Sequence, residues 1–588
     1  MPIILVLSLT ETNIMLATPN PPTSSENPAI IHPPKFKLAI IPSNKSVNPD
    51  KHSVVKYGTF SKASVTSAHP LASMVGAEIM RQGGNAFDAT IATQFALAVV
   101  YPGAGNIGGG GFTLARKKDG SLIGIDYREA APNKASRDMY LDAAGNAQDT
   151  LSQNGHLASG VPGTVAGIFA TLSHAKLPFE MLIQPAIDLA RYGFVITERE
   201  ASSLNGTKKD FIKYSTRPSA FVKETKWKVG DTLVQLDLAN TLTRIQKNGA
   251  KGFYEGETAA LIVDEMKRGG GIISLEDLKN YQAKSRTPIV FSYRDYSVIS
   301  FAPPSSGGIL IGQMLKMMEP FNVQKMGFQT PESVQLMIEV ERRAYADRAA
   351  HIGDPDFYKV PQNTLLSNAY IKNRMVDYKP GVAGSSDQTQ AGNAPASEET
   401  THFSVVDPEG NMVAVTTTLN GGYGNRTVVG GAGFILNNEM DDFSAKPGSP
   451  NMYGAIGGEA NAIAPHKRML SSMTPTLLTK NKKPYLTVGT PGGTTIPTSV
   501  FQTIVNLVDF NMSLEDAINS PKFHHQWLPD DVSIEKTFNP NTKAALEKMG
   551  YRIKERGSIG RTEGVIIGPT GKRITVADKR GDDAVAGY

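Results

Sequence analysis

Residues 400–418, TTHFSVVDPEGNMVAVTTT, decide how this chain is read. Asp407-Pro408-Glu409-Gly410-Asn411 puts Asp and Pro at the first two places of a type I turn, and Gly where a left-handed residue is needed. The combination predicts a three-residue hairpin loop with a G1 bulge, in which Asp407 pairs with Asn411. The remaining cross-strand pairs follow. Thr400 lies opposite Thr418, His402 opposite Thr416 and Ser404 opposite Ala414 on one face, while Phe403, Val405, Val413 and Val415 gather on the other. A two-residue loop would put Thr418 on the wrong face, so the meeting of the two hydroxyls depends on the bulge.

Two neighbouring threonines on a strand are ordinary β-branched sheet residues. The preceding segment adds a second reading. Lys379 to Glu399 is dominated by Gly, Ala, Ser, Gln, Asn and Pro, the composition of a flexible linker or exposed loop. A cut before Thr400 would create an N-terminal threonine whose α-amino group, with a pKa near ~8, serves as base for its own hydroxyl. Thr418 would then orient the nucleophile. Such a scheme needs no His, Cys or metal, and on these residues alone both readings stand.

Composition narrows the classes. The chain has 588 residues, 40% hydrophobic and 20% charged, which excludes a mainly disordered or fibrous protein and allows several domains. A net charge of +5 over this length favours a small-molecule partner over nucleic acid. The absence of cysteine excludes thiol nucleophiles, disulfides, iron–sulfur clusters and cysteine zinc sites. Residues 1–56 read as a loose leader. An apolar run from Ile3 to Leu7 suggests a signal peptide or its remnant, but the first Lys is Lys35 and Glu11 interrupts the stretch, so the basic n-region is missing. No run reaches the roughly 18 apolar residues of a membrane span, so none is expected.

Apolar spacing predicts a helix over Leu71 to Gln82, stopped by Gly83 and Gly84. Asn85 caps a second helix, Ala86 to Val100, apolar on almost every face and therefore buried. Glu332 to Arg348 reads as an amphipathic helix. The last third carries short strand-like runs, His402 to Val406, Met412 to Leu419 and Tyr485 to Val488, among Gly-rich turns. Mixed α/β is the class, with no internal repeat. Gly103 to Gly108 spells G-x-G-x-x-G, but a helix precedes it and a hairpin follows, which is the wrong context for a dinucleotide. His524-His525 would point apart on a strand and lacks a third metal ligand.

Several segments, in order, resemble the γ-glutamyltranspeptidase family: Gly83 to Ala89, Tyr127 to Pro132, Gly160 to Thr164, Glu399 to Asp407, Asn437 to Ser444, Leu470 to Met473 and Gly489 to Gly493. The resemblance runs from about residue 57 to Tyr588. It implies an N-terminal-nucleophile hydrolase with a four-layer αββα sandwich, made as a precursor that cuts itself between Glu399 and Thr400. Residues 57–399 would form a large subunit, with 378–399 its flexible tail, and 400–588 a small catalytic subunit, the two interwoven in one domain.

The same resemblance implies site roles. Thr400 attacks the γ-carbonyl of glutathione or another γ-glutamyl donor, Thr418 supports it, and the N–H groups of Gly492 and Gly493 stabilise the oxyanion. Arg128 with Ser471 and Ser472 resembles the site for the substrate carboxylate; Asp442, Glu439 and Asn420 resemble the site for its ammonium. Pro447 to Asn461, with Tyr453, resembles a lid. Water, or the amine of an amino acid or dipeptide acceptor, resolves the γ-glutamyl-enzyme. No cofactor or metal is expected, and the implied location is periplasmic or secreted. An acylase acting on β-lactam side chains is the rival within the fold. A non-processing binding protein is the rival outside enzymes.

Overall fold

The computed structural model describes residues 53–389, 400–446, 448, 451, 452, 454 and 457–588. Most of the leader, Glu399 and Tyr453 lie outside the described residues.

The central hairpin forms in the expected register. Strands Thr401–Val406 and Met412–Thr418 pair His402 with Thr416 and Ser404 with Ala414. Gly410 takes a left-handed φ of 86°. The Asp407 carboxylate closes the turn, accepting from the N–H groups of Glu409 at 2.9 Å and Asn411 at 3.0 Å. It also accepts from Ala86 N at 3.0 Å, which fastens the turn to the start of a helix.

The hairpin lies at the centre of one seven-stranded sheet. Its neighbours are Ser64–Ser67 and Ala584–Gly587 on one side, and Gly110–Arg116, Leu122–Asp126 and Lys284–Ser285 on the other. A second seven-stranded sheet runs in the order Tyr57–Phe60, Arg573–Ala577, Glu563–Ile567, Lys483–Gly489, Thr476–Lys480, Tyr296–Ser300 and Ile289–Tyr293. Each sheet mixes strands from before and after Thr400.

Three apolar clusters set the packing. Phe403, Val405, Val413 and Val415 join residues of helices Pro70–Arg81, Ala86–Val100 and Phe179–Tyr192. Phe112, Leu114, Val406, Met412 and Ala414 from the first sheet meet Ile299, Leu477 and Val565 from the second. Val298, Leu478, Leu486 and Val488 join residues of helices Gly307–Met318, Pro331–His351 and Thr495–Val508. Polar residues of the hairpin bridge the sheets: His402 Nδ1 bonds Thr416 Oγ1 at 2.9 Å and Nε2 bonds Ser404 Oγ at 3.0 Å, and Ser404 reaches Thr487 Oγ1 at 3.1 Å. Burial lowers the His402 pKa to about 3, so the ring is neutral.

Helix Ala86–Val100 is buried along its whole length and opens with a capping box between Asn85 and Asp88. Helix Pro331–His351 departs from the expected amphipathic pattern, because Ser333 to Ala349 are all buried. Internal pairing makes this tolerable: Arg343 pairs with Glu339 and with Asp377 at 2.8 Å, and Glu341 accepts from His525 N at 2.8 Å. Helix Ala86–Val100 precedes the G-x-G-x-x-G stretch, and the strand pair Gly110–Arg116 and Leu122–Asp126 follows it. His524 bonds Thr498 Oγ1 at 2.9 Å and His525 bonds Asp530 at 3.2 Å. Ser386, before the proposed cut, is buried and accepts from Trp527 Nε1 at 3.2 Å through its carbonyl. Among the described residues, no helix is long and apolar enough to cross a membrane.

Asp407→Ala should destabilise the protein by about 3 kcal/mol, because one buried acceptor is withdrawn from three backbone N–H groups. Urea unfolding checks this, and an unchanged midpoint would contradict the role given to the turn.

Candidate active site

The hairpin delivers Thr400 and Thr418 to one end of the first sheet, with their Oγ1 atoms 3.4 Å apart. Thr418 Oγ1 also accepts from Asn420 N at 2.7 Å, which fixes its lone pairs relative to Thr400. Asn420 adopts φ 76°, a left-handed conformation that Asn tolerates better than most residues. Its side chain donates to the Asn438 carbonyl at 3.0 Å, joining this turn to the segment that carries Glu439 and Asp442.

Arg128 follows strand Leu122–Asp126 and is 1% exposed. Its backbone N–H donates to Asp126 Oδ1 at 3.0 Å, and Asp126 is itself clamped by Arg468 at 2.6 Å and Arg286 at 3.0 Å. The guanidinium donates to the carbonyls of Met469 at 3.4 Å and Leu470 at 3.3 Å, which leads the chain directly into Ser471 and Ser472. It forms ion pairs with Glu439 and Asp442, and Glu129 stands 3.6 Å away. Asp442 also accepts from Asn451 Nδ2 at 2.9 Å. Its neighbour Asp441 turns elsewhere, to the Met452 N–H at 2.7 Å.

Gly492 and Gly493 stand just ahead of helix Thr495–Val508, with φ values of 138° and 51°. Their carbonyls accept from Thr495 N at 2.9 Å and Ile496 N at 3.2 Å, so the loop is built into the opening turn of the helix. A helix N-terminus favours a developing negative charge.

These residues converge on one small pocket. Its lining includes Thr400, Thr418, Arg128, Asn420, Glu439, Asp442, Ser471, Ser472 and Gly493. Gly492 lines the adjoining cleft instead. Arg348, Thr494 and Ile496 line it with no site role expected from the sequence, and Asn451 comes from the expected lid segment. Arg348 donates to Ser472 Oγ at 3.0 Å and Ser306 Oγ at 3.2 Å, so a second buried arginine serves the serine pair. Its only sequence signal is a position at the end of a helix.

Three carboxylates, Glu439, Asp442 and Glu129, surround the Arg128 guanidinium away from water, with the Arg348 guanidinium in the same pocket. Burial opposes the Arg128 charge, but Glu439, Asp442 and Glu129 more than offset it and raise its pKa. Burial is also the main cause that pushes Glu439 well above the ordinary carboxylate range, against the pull of Arg128. It pushes Glu129 up to about 8. Burial therefore favours the protonated form of Glu129 near neutrality. An entering zwitterion fits this charge pattern, because its carboxylate matches Arg128 and its ammonium matches the acids. Among the described residues, no cluster of three or more His, Asp or Glu could hold a metal ion.

A carboxyl whose folded-state pKa lies above its unfolded value stabilises the folded protein while it keeps its proton. For Glu129 that contribution is whole below about 4.5 and fades as pH rises through about 8. Glu129→Gln should therefore lose less thermal stability than wild type between these limits, as read by melting temperature against pH. Parallel curves would refute the assignment.

Comparison with known proteins gives a consistent result. A family model described as gamma-glutamyltranspeptidase matches residues 72–588. The chain is 46% identical over 530 residues to the glutathione hydrolase proenzyme of Escherichia coli (strain K12), covering 89% of this chain and 91% of that protein. It is 34% identical over 542 residues to the acylase ACY 1 proenzyme of Pseudomonas sp. (strain V22), with 90% and 94% covered. Among solved structures, a cephalosporin acylase from Bacillus halodurans superposes with a TM-score of 0.80 at 25% identity, over 95% of this chain and 99% of that one. The Helicobacter pylori gamma-glutamyltranspeptidase gives 0.54 at 45% identity, over 55% and 94%.

Proposed function

Because the chain belongs to the γ-glutamyltranspeptidase family, we propose that it is a self-processing γ-glutamyltranspeptidase and glutathione hydrolase with the four-layer αββα arrangement of N-terminal-nucleophile hydrolases. The chain breaks its own Glu399–Thr400 bond, and the new α-amino group of Thr400 becomes the base. The observation that carries this reading is the pocket in which a threonine pair adjoins a buried Arg128–Asp442 couple.

The γ-glutamyl end enters the pocket with its α-carboxylate toward Arg128, Ser471 and Ser472 and its α-ammonium toward Asp442, Glu439 and Asn420. Thr400 Oγ attacks the γ-carbonyl while its proton passes to the α-amino group. The Gly492 and Gly493 N–H groups stabilise the oxyanion, typically by ~3 kcal/mol per donor. Collapse breaks the C–N bond, the amine leaves with the proton, and a γ-glutamyl ester remains on Thr400. Water then gives glutamate, or an acceptor amine gives a new γ-glutamyl amide. By the same resemblance the enzyme works in the periplasm or outside the cell.

The similarity to acylase ACY 1 and to a cephalosporin acylase raises a second reading, an acylase acting on β-lactam side chains. A simple diacid has no ammonium to set against Asp442 and Glu439, so the pocket favours an α-amino acid.

A denaturing gel tests the nucleophile: wild type should give two bands, the smaller beginning at Thr400, and Thr400→Ala one uncut, inactive chain. A folded wild type that stays uncut would overturn the reading. Arg128→Lys should lower kcat/KM for γ-glutamyl-p-nitroanilide by roughly 10²–10⁴, as for a broken buried pair worth about 3–5 kcal/mol.

A further inference from the structure

Thr400 is shared by two cavities. The inner pocket is small, and the adjoining cleft is much larger. The boundary falls between consecutive residues: Asn420, Asn451 and Gly493 line the pocket, whereas Gly421, Met452 and Gly492 line the cleft. A γ-glutamyl amide with its carbonyl at Thr400 fills the pocket with its glutamyl end. Whatever lies beyond the scissile nitrogen must then occupy the cleft.

Four arginines line that cleft, and three are matched by acids. Arg580 pairs with Glu535 at 2.6 Å and Asp578 at 3.0 Å. Arg561 stands 3.9 Å from Asp583, and Arg199 stands 3.7 Å from Asp582. Arg426 differs: among the described residues no carboxylate pairs with it, and its hydrogen bonds run from Nη1 to Asn154 Oδ1 at 3.2 Å and the Gly424 carbonyl at 2.9 Å. It ends a turn in which Asn420, Tyr423 and Arg426 all adopt left-handed conformations, with φ of 76°, 59° and 65°. Such conformations cost roughly 1–3 kcal/mol each for non-glycine residues and persist where the surroundings impose them. The same turn thus sets Asn420 in the pocket and an acid-free guanidinium in the cleft.

On the γ-glutamyl transfer reading the cleft takes the amine side of the reaction, and we propose that Arg426 reads the carboxylate of the amino acid or short peptide held there. This inference rests on the γ-glutamyl transfer reading above. In transfer, the acceptor nitrogen attacks the γ-glutamyl ester; the new C–N bond forms, the C–Oγ bond to Thr400 breaks, and the proton lost by the amine returns to Oγ through the Thr400 α-amino group.

The experiment uses the processed wild-type protein with γ-glutamyl-p-nitroanilide as donor, and compares glycylglycine with glycylglycinamide as acceptors. Wild type should favour the carboxylate acceptor in kcat/KM by roughly tenfold or more. Arg426→Gln should bring the ratio near one, and Arg426→Lys should restore part of it. Ser203→Asp, an exposed change on the cleft wall, should lower the ratio without touching Arg426; it carries the test by itself if Arg426→Gln fails to fold. Hydrolysis of the anilide with no acceptor preference in wild type, or a preference that survives both Arg426→Gln and Ser203→Asp, sinks the inference and leaves the transfer reading intact. A wild type that hydrolyses no γ-glutamyl donor removes that reading, and the inference falls with it.

Discussion

The register of the 401–418 hairpin is the constraint on which the rest depends. Its side chains alternate between an apolar face packed on helices and a face turned to the second sheet. A slip of one residue would drive His402 and Ser404 into the helix-side cluster and separate Thr400 from Thr418. The slip is resisted by Gly410, whose left-handed backbone the bulge requires, and by Asp407, whose carboxylate joins the turn to helix Ala86–Val100. Local turn chemistry is therefore converted into the placement of two hydroxyls far from the turn.

Features governed by local chemistry were legible in the sequence. The hairpin register and the capped, wholly apolar helix Ala86–Val100 need little beyond a turn type, a cap and a hydrophobic period. Helix Pro331–His351 shows where that logic ends. Its charged residues suggested a solvent-facing side, yet Glu339, Glu341, Arg342 and Arg343 are buried, because their partners arrive from residues distant in the chain. Arg348 was hidden for the same reason: its contact with Ser472 spans more than a hundred residues.

The resemblance gathered Arg128, Asp442 and the serine pair, but their pairing needed coordinates. Arg128 is engaged by Glu439 and Asp442, while Arg348 bonds Ser472. The pocket is thus a charge couple closed upon itself, and a zwitterion can enter by exchanging partners, leaving little net charge to desolvate. That arrangement suits a ligand carrying both signs better than a ligand carrying one.

The mixing of strands from either side of Thr400 in both sheets has a consequence for assembly. While the chain is continuous, the two parts find each other as one molecule, at the high effective concentration that a tether provides. Under the proposed cut before Thr400, unfolding would release two separate chains, and recovery would become a second-order encounter that slows with dilution. On that proposal the sheets must close before the cut. A protein cut in this way would owe its persistence to the height of its unfolding barrier more than to any ability to form again.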